Sequence, residues 1–281
     1  MCCGVLEIHR TTNKGSYLTA IAVPSAPAAI RTFCQLAVKS GVEHLVLLSG
    51  CGEDEAKHCE DIVKNAGVAW TILRSSWFCQ NFSEGFIHDL ILAGNITLPV
   101  GGVREPFVDV DDIADIAVKA LTESGHDNQL YELTGPRSMT FLEATSEIAG
   151  AAGRPINFTQ IPLHDFSAAL AEQHVPADAI GLLEYLFTTV LDGRNEQLTN
   201  GVQQALGRPA RDFKTMWKKR RALGCGDSPA GVKSLNSPLP FLLNDIMPSF
   251  ERIVVIRRRC VMIFRKYYGL SNDVVLGEFC K

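Results

Sequence analysis

Two short apolar runs, Leu45 to Leu48 and Val68 to Leu73, flank an acidic, polar segment from Glu53 to Lys64. The first run ends in Ser49-Gly50-Cys51-Gly52 and the second continues through Arg74 into Ser75-Ser76-Trp77-Phe78-Cys79-Gln80-Asn81-Phe82. Apolar runs of this length, bounded by Gly and Ser, suit parallel strands buried on both faces, and roughly a dozen residues between them suit one crossover helix. The spacing predicts a βαβ unit. Ligands of doubly wound sheets bind beyond the carboxyl ends of the strands, so Ser49 to Gly52 and Ser75 to Asn81 are expected to face one site.

The same alternation extends both ways. Tyr17 to Val23 reads as a strand, Pro24 and Pro27 as a turn, and Ala28 to Ser40 as a helix with Ile30, Phe33, Cys34, Ala37 and Val38 at helical spacing. Downstream, Glu84 to Ala93, Ile113 to Leu121, Phe141 to Ala152 and Pro176 to Asp192 read as helices. Ile96 to Pro99, Gln129 to Thr134 and Ile156 to Ile161 read as extended. Asp111 or Asp112 is the expected cap of the Ile113 helix, where a carboxylate accepts the first free N–H groups.

Charge divides the chain. Residues 1–213 carry 14 Lys and Arg against 26 Asp and Glu, net −12, whereas residues 214–281 carry 13 against 5, net +8. A basic tail reads as an arm for nucleic acid or a membrane surface, or as a solvated extension. In Glu251 to Lys266 the run Arg257-Arg258-Arg259 interrupts any apolar stripe, and Cys225 to Pro240 has a linker's composition. No nucleic-acid partner is expected. The nine cysteines are odd in number and lack any Cys-x-x-Cys pair, which argues for reduced thiols and against a zinc module; Cys51, His58 and Cys59 offer three soft groups without a fourth. No apolar stretch reaches the roughly 18 residues of a membrane span, and the start lacks a leader's pattern, so a cytoplasmic protein is expected.

LVLLSG, GVAWTILRSSWFCQNFSEG, PFVDVDDIADIAVKAL and LYELTGP together resemble the NmrA-like branch of the atypical short-chain dehydrogenases/reductases. Within it the likeness is greatest to bacterial NAD(P)H-binding proteins and fungal festuclavine (agroclavine) dehydrogenases. It covers about Tyr17 to Phe213. The resemblance implies an α/β fold, a Rossmann-type doubly wound parallel sheet with a small α+β substrate-capping region. It also implies a sheet here lacking its first βαβ elements, because the likeness begins at the family's fourth strand. Three regions follow: an irregular lead-in over 1–16, the nucleotide-binding region with its capping helices over 17–213, and a foreign, poorly ordered basic tail over 214–281.

The cofactor implied is NADP or NAD, and the family's contacts fall on Ala22, Val23 and Pro24, on Ser49, and on Trp77, Phe78, Cys79, Gln80 and Asn81. An apolar wall with one or two amides suits a flat nicotinamide ring, although Trp77, Phe78 and Phe82 equally suit a core. Lys57 falls where related reductases place a lysine that reaches cofactor and substrate; a solvated surface lysine is the plain alternative. Glu60, one turn on, is expected to support the loop or to pair with Lys57 at the surface. No Tyr-x-x-x-Lys pair occurs, and Ser49 lacks the tyrosine partner of a catalytic serine. Gly50-Cys51-Gly52 is followed by Glu53, Asp54 and Glu55, three carboxylates where a pyrophosphate would need positive potential. The expectation is an NAD(P)H-dependent reductase of a small conjugated compound such as an iminium, enone or quinone, with a place in secondary metabolism such as alkaloid synthesis. Its partners would be a small-molecule substrate and further copies of itself in a homo-oligomer. The alternative is a non-catalytic redox sensor, or an inactive shortened product.

Overall fold

The computed structural model of the chain describes residues 15–19, 26–84 and 86–221. Ala22, Val23 and Pro24, the lead-in before residue 15 and the tail beyond residue 221 lie outside the described residues.

Strand β1 (Gly15–Thr19), helix α1 (Ala26–Lys39), β2 (His44–Gly50), α2 (Asp54–Lys64) and β3 (Ala69–Ser75) follow in strict alternation. A 3-10 turn at Cys79–Phe82, α3 (Phe86–Ala93), β4 (Asn95–Leu98), β5 (Arg104–Glu105) and α4 (Val110–Thr122) then lead to β6 (Gln129–Leu133). β1, β2, β3 and β6 form one sheet in that order, every pairing parallel, with Leu45 beside Trp70 and Ser49 beside Arg74.

The sheet is covered on both faces, as its continuous apolar strands require. Because side chains alternate along a strand, Leu45 and Leu47 face one way and Val46 and Leu48 the other. The first pair packs with Ile72 against Ile30, Phe33 and Ala37 of α1 and Cys59 and Val63 of α2. The second packs with Leu73 and Leu133 against Ile113, Ile116 and Ala117 of α4. This is a doubly wound α/β arrangement. It places the ends of β2 and β3, with their Ser- and Gly-rich turns, along one edge.

The remainder folds beyond that edge as β7 (Met139–Thr140), α5 (Phe141–Ala152), β8 (Asn157–Gln160), α6 (Leu163–Glu172), α7 (Ala177–Tyr185), α8 (Gly201–Leu206) and α9 (Phe213–Arg221). β4 pairs parallel with β8 and β5 antiparallel with β7. A third core gathers Phe82, Phe107, Phe141, Phe166, Phe187 and Phe213, and α9 adds Met216 and the fully buried Trp217. The compositional change at residue 214 thus falls one residue inside a helix that packs into this core.

Two expectations are corrected. The α4 cap is Asp109, whose carboxylate accepts the Asp111 N–H at 2.9 Å, and the helix begins at Val110. Asp112 is instead fully buried between Arg208 and Arg211, and Asp111 meets Lys219 at 3.0 Å. The segment Pro176 to Asp192, expected as one helix, is α7 followed by a π-helical turn at Leu186–Val190. That turn rotates Phe187 inward, to 5.8 Å from Trp77.

Candidate active site

The end of β2 is tied to its own crossover helix. Ser49 is buried and donates its hydroxyl to Glu60 Oε1 at 2.9 Å, while Arg74, beside it in register on β3, donates Nε to the same oxygen at 2.8 Å and NH2 to Oε2 at 2.6 Å. Arg74 also reaches Glu132 of β6 at 2.7 Å, and Lys64 lies 3.4 Å from Glu60. Glu60 has no exposed surface. Burial pulls its carboxyl up, but the hydrogen bonds from Arg74 and Ser49 outweigh this, so it stays below the ordinary carboxylate value. Of the two roles expected for Glu60, the surface pair with Lys57 does not form: Glu60 faces the sheet and holds the end of β2 through Ser49, and Lys57, one turn earlier on α2, is exposed. The Ser49 hydroxyl is committed to this buried network.

The turn after β2 is shaped by its glycines. A Cβ on Gly50 would lie 2.1 Å from Glu53 Oε1, so only glycine lets the Glu53 carboxyl fold back over the turn. Gly52 adopts φ +79°, and Asn195 from the segment after α7 donates to the Cys51 carbonyl at 3.2 Å. Arg194 reaches the Gly52 carbonyl at 3.3 Å and pairs with Asp192 at 2.6 Å. Burial and the neighbouring Glu55 push the Glu53 carboxyl up to about 7. A carboxyl, not an anion-binding nest of N–H groups, thus fills the Gly50–Gly52 turn.

The segment after β3 is pinned at three points. Ser76 N–H donates to the Leu133 carbonyl at 3.0 Å and its hydroxyl to the Pro106 carbonyl at 2.7 Å, and Cys79 N–H meets the Val108 carbonyl at 2.8 Å. Trp77 is half-buried, 5.7 Å edge-on from Phe141, and Phe78 beside it is half-buried too. Cys79 is fully buried. Gln80 donates to Asp109 Oδ1 at 2.7 Å and accepts the Val110 N–H at 3.0 Å, so both ends of its amide hold the start of α4. Asn81 is half-exposed. Among the site residues read from sequence, Trp77, Phe78 and Asn81 therefore offer surface, while Ser49, Cys79 and Gln80 are spent on the scaffold. Asp109→Ala, which removes both the cap and the Gln80 partner, is expected to cost about 2 kcal/mol in urea unfolding, against less than about 0.5 kcal/mol for Asp111→Ala, whose side chain is half-exposed in a surface pair with Lys219.

One group was not foreseen. Glu105, on β5, has no exposed surface, and neither carboxylate oxygen has a hydrogen-bond partner among the described residues. Its backbone is fixed by the next residue, Pro106, whose carbonyl takes both the Ser76 hydroxyl and the Gly135 N–H. A Cβ on Gly135 would lie 2.1 Å from the Phe107 carbonyl, so the glycine of the LYELTGP run permits this approach. Burial pushes the Glu105 carboxyl up to about 8; the nearby Trp77 N–H opposes this, and Asp192 and Glu196 add to it. No sequence signal marks Glu105, a charged residue between Arg104 and Pro106, as buried.

No family model matches the chain. It is 31% identical over 196 residues to agroclavine dehydrogenase of Claviceps fusiformis, covering 67% of this chain and 68% of that one. It is 28% identical over 192 residues to NAD(P)H azoreductase of Xenophilus azovorans, covering 65% and 67%. Among solved structures it superposes on the NADPH-dependent quinone oxidoreductase QOR2 of Escherichia coli with a TM-score of 0.65 at 19% identity, over 74% of this chain and 77% of that one. The likeness shows a shared doubly wound α/β fold. The chain belongs to the NmrA-like family of atypical short-chain dehydrogenases/reductases.

The residues that would face the two ends of a dinucleotide differ in fit. Trp77, half-buried against Phe141 and Phe187, and the partly exposed Asn81 are residue types that fit a nicotinamide ring, whereas Phe78 packs against the separate core of Val108 and Ile113. Among the described residues the only Gly-x-Gly turn after a strand is filled by Glu53 and followed by Asp54 and Glu55, which does not fit a pyrophosphate.

Proposed function

We propose that this chain is an NAD(P)H-dependent oxidoreductase acting on a small conjugated acceptor such as a quinone, an enone or an iminium ion. The observation that carries the reading is the half-buried Trp77 beyond the carboxyl end of β3, backed by Phe141 and Phe187. A reduced nicotinamide, when bound, supplies the hydride. Trp77 orients a flat ring by shape and keeps water from one side of it, and Asn81 supplies a hydrogen-bonding amide. Lys57, exposed on the first turns of α2, extends from the same edge and is the cation assigned to cofactor and substrate. Rate enhancement in such a site comes chiefly from alignment of donor and acceptor in a water-poor space. The relation to clavine dehydrogenases supports a role in secondary metabolism, alkaloid synthesis included.

The test is consumption of NADPH and NADH by the purified chain with menadione as acceptor, followed by loss of nicotinamide absorbance. Trp77→Ala is expected to raise the KM for NADPH by about tenfold, equivalent to about 1.4 kcal/mol of lost ring contact, with Asn81→Ala giving a smaller rise. Folded protein that consumes neither cofactor with quinones, enones or iminium ions would contradict the proposal.

A further inference from the structure

We propose that Glu105 is the proton donor of this site, giving its carboxyl proton to the heteroatom of an acceptor as the acceptor is reduced. The inference rests on the oxidoreductase reading above and adds to it a residue and a substrate preference.

Its basis is an unspent polar group in a defined place. Glu105 is fully buried, and no described donor reaches either oxygen in hydrogen-bonding geometry; the nearby Trp77 N–H is the one donor that acts on the carboxyl. Buried polar atoms are nearly always paired, and an unpaired carboxyl is costly to keep. Here the position is held from both sides. On one, Pro106 is tied to the ends of β3 and β6 through Ser76 and Gly135; on the other, β5 lies antiparallel to β7 with Glu105 opposite Met139. The carboxyl lies near the Trp77 backbone after β3, near enough to Cys51 after β2 for their charges to interact, and within reach of Asp192 and Glu196 after the π-helical turn. Those segments converge beyond the carboxyl ends of the two strands, where a ligand of this fold belongs.

Burial chiefly sets its state. It pushes the carboxyl up to about 8, against the Trp77 N–H and with small additions from Asp192 and Glu196, which favours the protonated form at neutral pH. Among the described residues no cation acts on it. A neutral carboxylic acid in an apolar setting is a hydrogen-bond donor and a proton source.

The chemistry then balances. Hydride addition to a quinone or an enone places two electrons on the acceptor and leaves an oxyanion. The Glu105 O–H bond breaks, an O–H bond forms on the acceptor, and Glu105 becomes a carboxylate. With no cation among the described residues acting on it, that carboxylate recovers a proton from water once product leaves. An azo nitrogen would be protonated in the same way. An iminium ion becomes a neutral amine on taking hydride and needs no proton. Glu105 therefore favours neutral acceptors whose reduction consumes a proton.

The test compares menadione with an N-methylated dihydroisoquinolinium ion, both with NADPH and the full chain. Glu105→Gln is expected to lower kcat for menadione by about a hundredfold or more, the usual scale of general-acid catalysis, and kcat for the iminium ion by less than about threefold. An independent readout is the infrared carbonyl band of a protonated carboxylic acid in the ligand-free protein at neutral pH, present in the wild type and lost in E105Q. The difference spectrum separates Glu105 from Glu53. Should E105Q fail to fold, the same band in the Glu53→Gln protein decides the matter. Equal loss on both acceptors, greater loss on the iminium ion, or absence of the band overturns the donor role. If E105Q matches wild type on both acceptors, the donor role falls and the oxidoreductase reading stands. If wild type consumes no NADPH with either acceptor, the reading falls and the donor role with it.

Discussion

Arg74→Ala is expected to lower the unfolding free energy by about 3–5 kcal/mol, the range for removing one partner of a buried ion pair. Two of the three hydrogen bonds that Arg74 makes go to Glu60, which has no exposed surface, and only Ser49 and the more distant Lys64 would remain beside it. The cost is that of stranding a carboxylate, so it depends on Glu60 being ionised. Replacing both residues, as in Arg74→Met with Glu60→Leu, is expected to recover most of it, because no charge is then buried. The pH dependence follows in sign. The Glu60 value is depressed in the folded state, so its contribution is present above the ordinary carboxylate value of 4.5 and is lost as pH falls through the folded value. Urea unfolding at neutral and acidic pH checks this: the penalty of Arg74→Ala shrinks on acidification. A penalty below about 1 kcal/mol at neutral pH would show the pair to be worth no more than a surface one.

Glu105→Gln is expected to act in the opposite direction on stability. The folded-state value is raised from 4.5 to about 8, so the native protein holds a proton that the unfolded chain gives up. Stability linked to this group is full below about 4.5 and drains away as pH rises to about 8. At about 1.4 kcal/mol for each pKa unit the loss is on the order of 5 kcal/mol at the alkaline end. Glutamine cannot ionise and keeps the shape. E105Q is therefore expected to melt close to wild type at pH 5 and well above it at pH 8.5, where the test of Glu105 as a strained group is sharpest. Parallel melting curves across that range would show Glu105 to be ionised in the folded protein.

The alternation of strand and helix was legible because a strand buried on both faces has to be an uninterrupted apolar run, and Leu45 to Leu48 is one. The limits of α5, Phe141 to Ala152, were readable for a related reason: Thr140 and Glu143 form a reciprocal cap that sharpens the start, and Gly153 in the left-handed region ends it. Other features depend on contacts that no local pattern carries. Asp109, Asp111 and Asp112 are equally good caps by type, and Gln80, far away in sequence, selects Asp109. The two-residue strands β5 and β7 are too short to show a period. The fate of the Trp77–Asn81 run was half legible: its position beyond β3 was clear, but not which side chains would be used to hold α4. Glu105 and the Arg74–Glu60 pair were invisible, since nothing in a charged residue's neighbours in sequence tells that the fold will enclose it.

The most direct measurement is titration of the purified chain with NADPH and NADH, read by nicotinamide fluorescence and by the shift in melting temperature. Saturable binding below millimolar cofactor, with emission enhanced beside Trp77 and weakened in Trp77→Ala, is the expected result. Folded protein that shows neither signal up to millimolar cofactor would contradict an oxidoreductase built on this site.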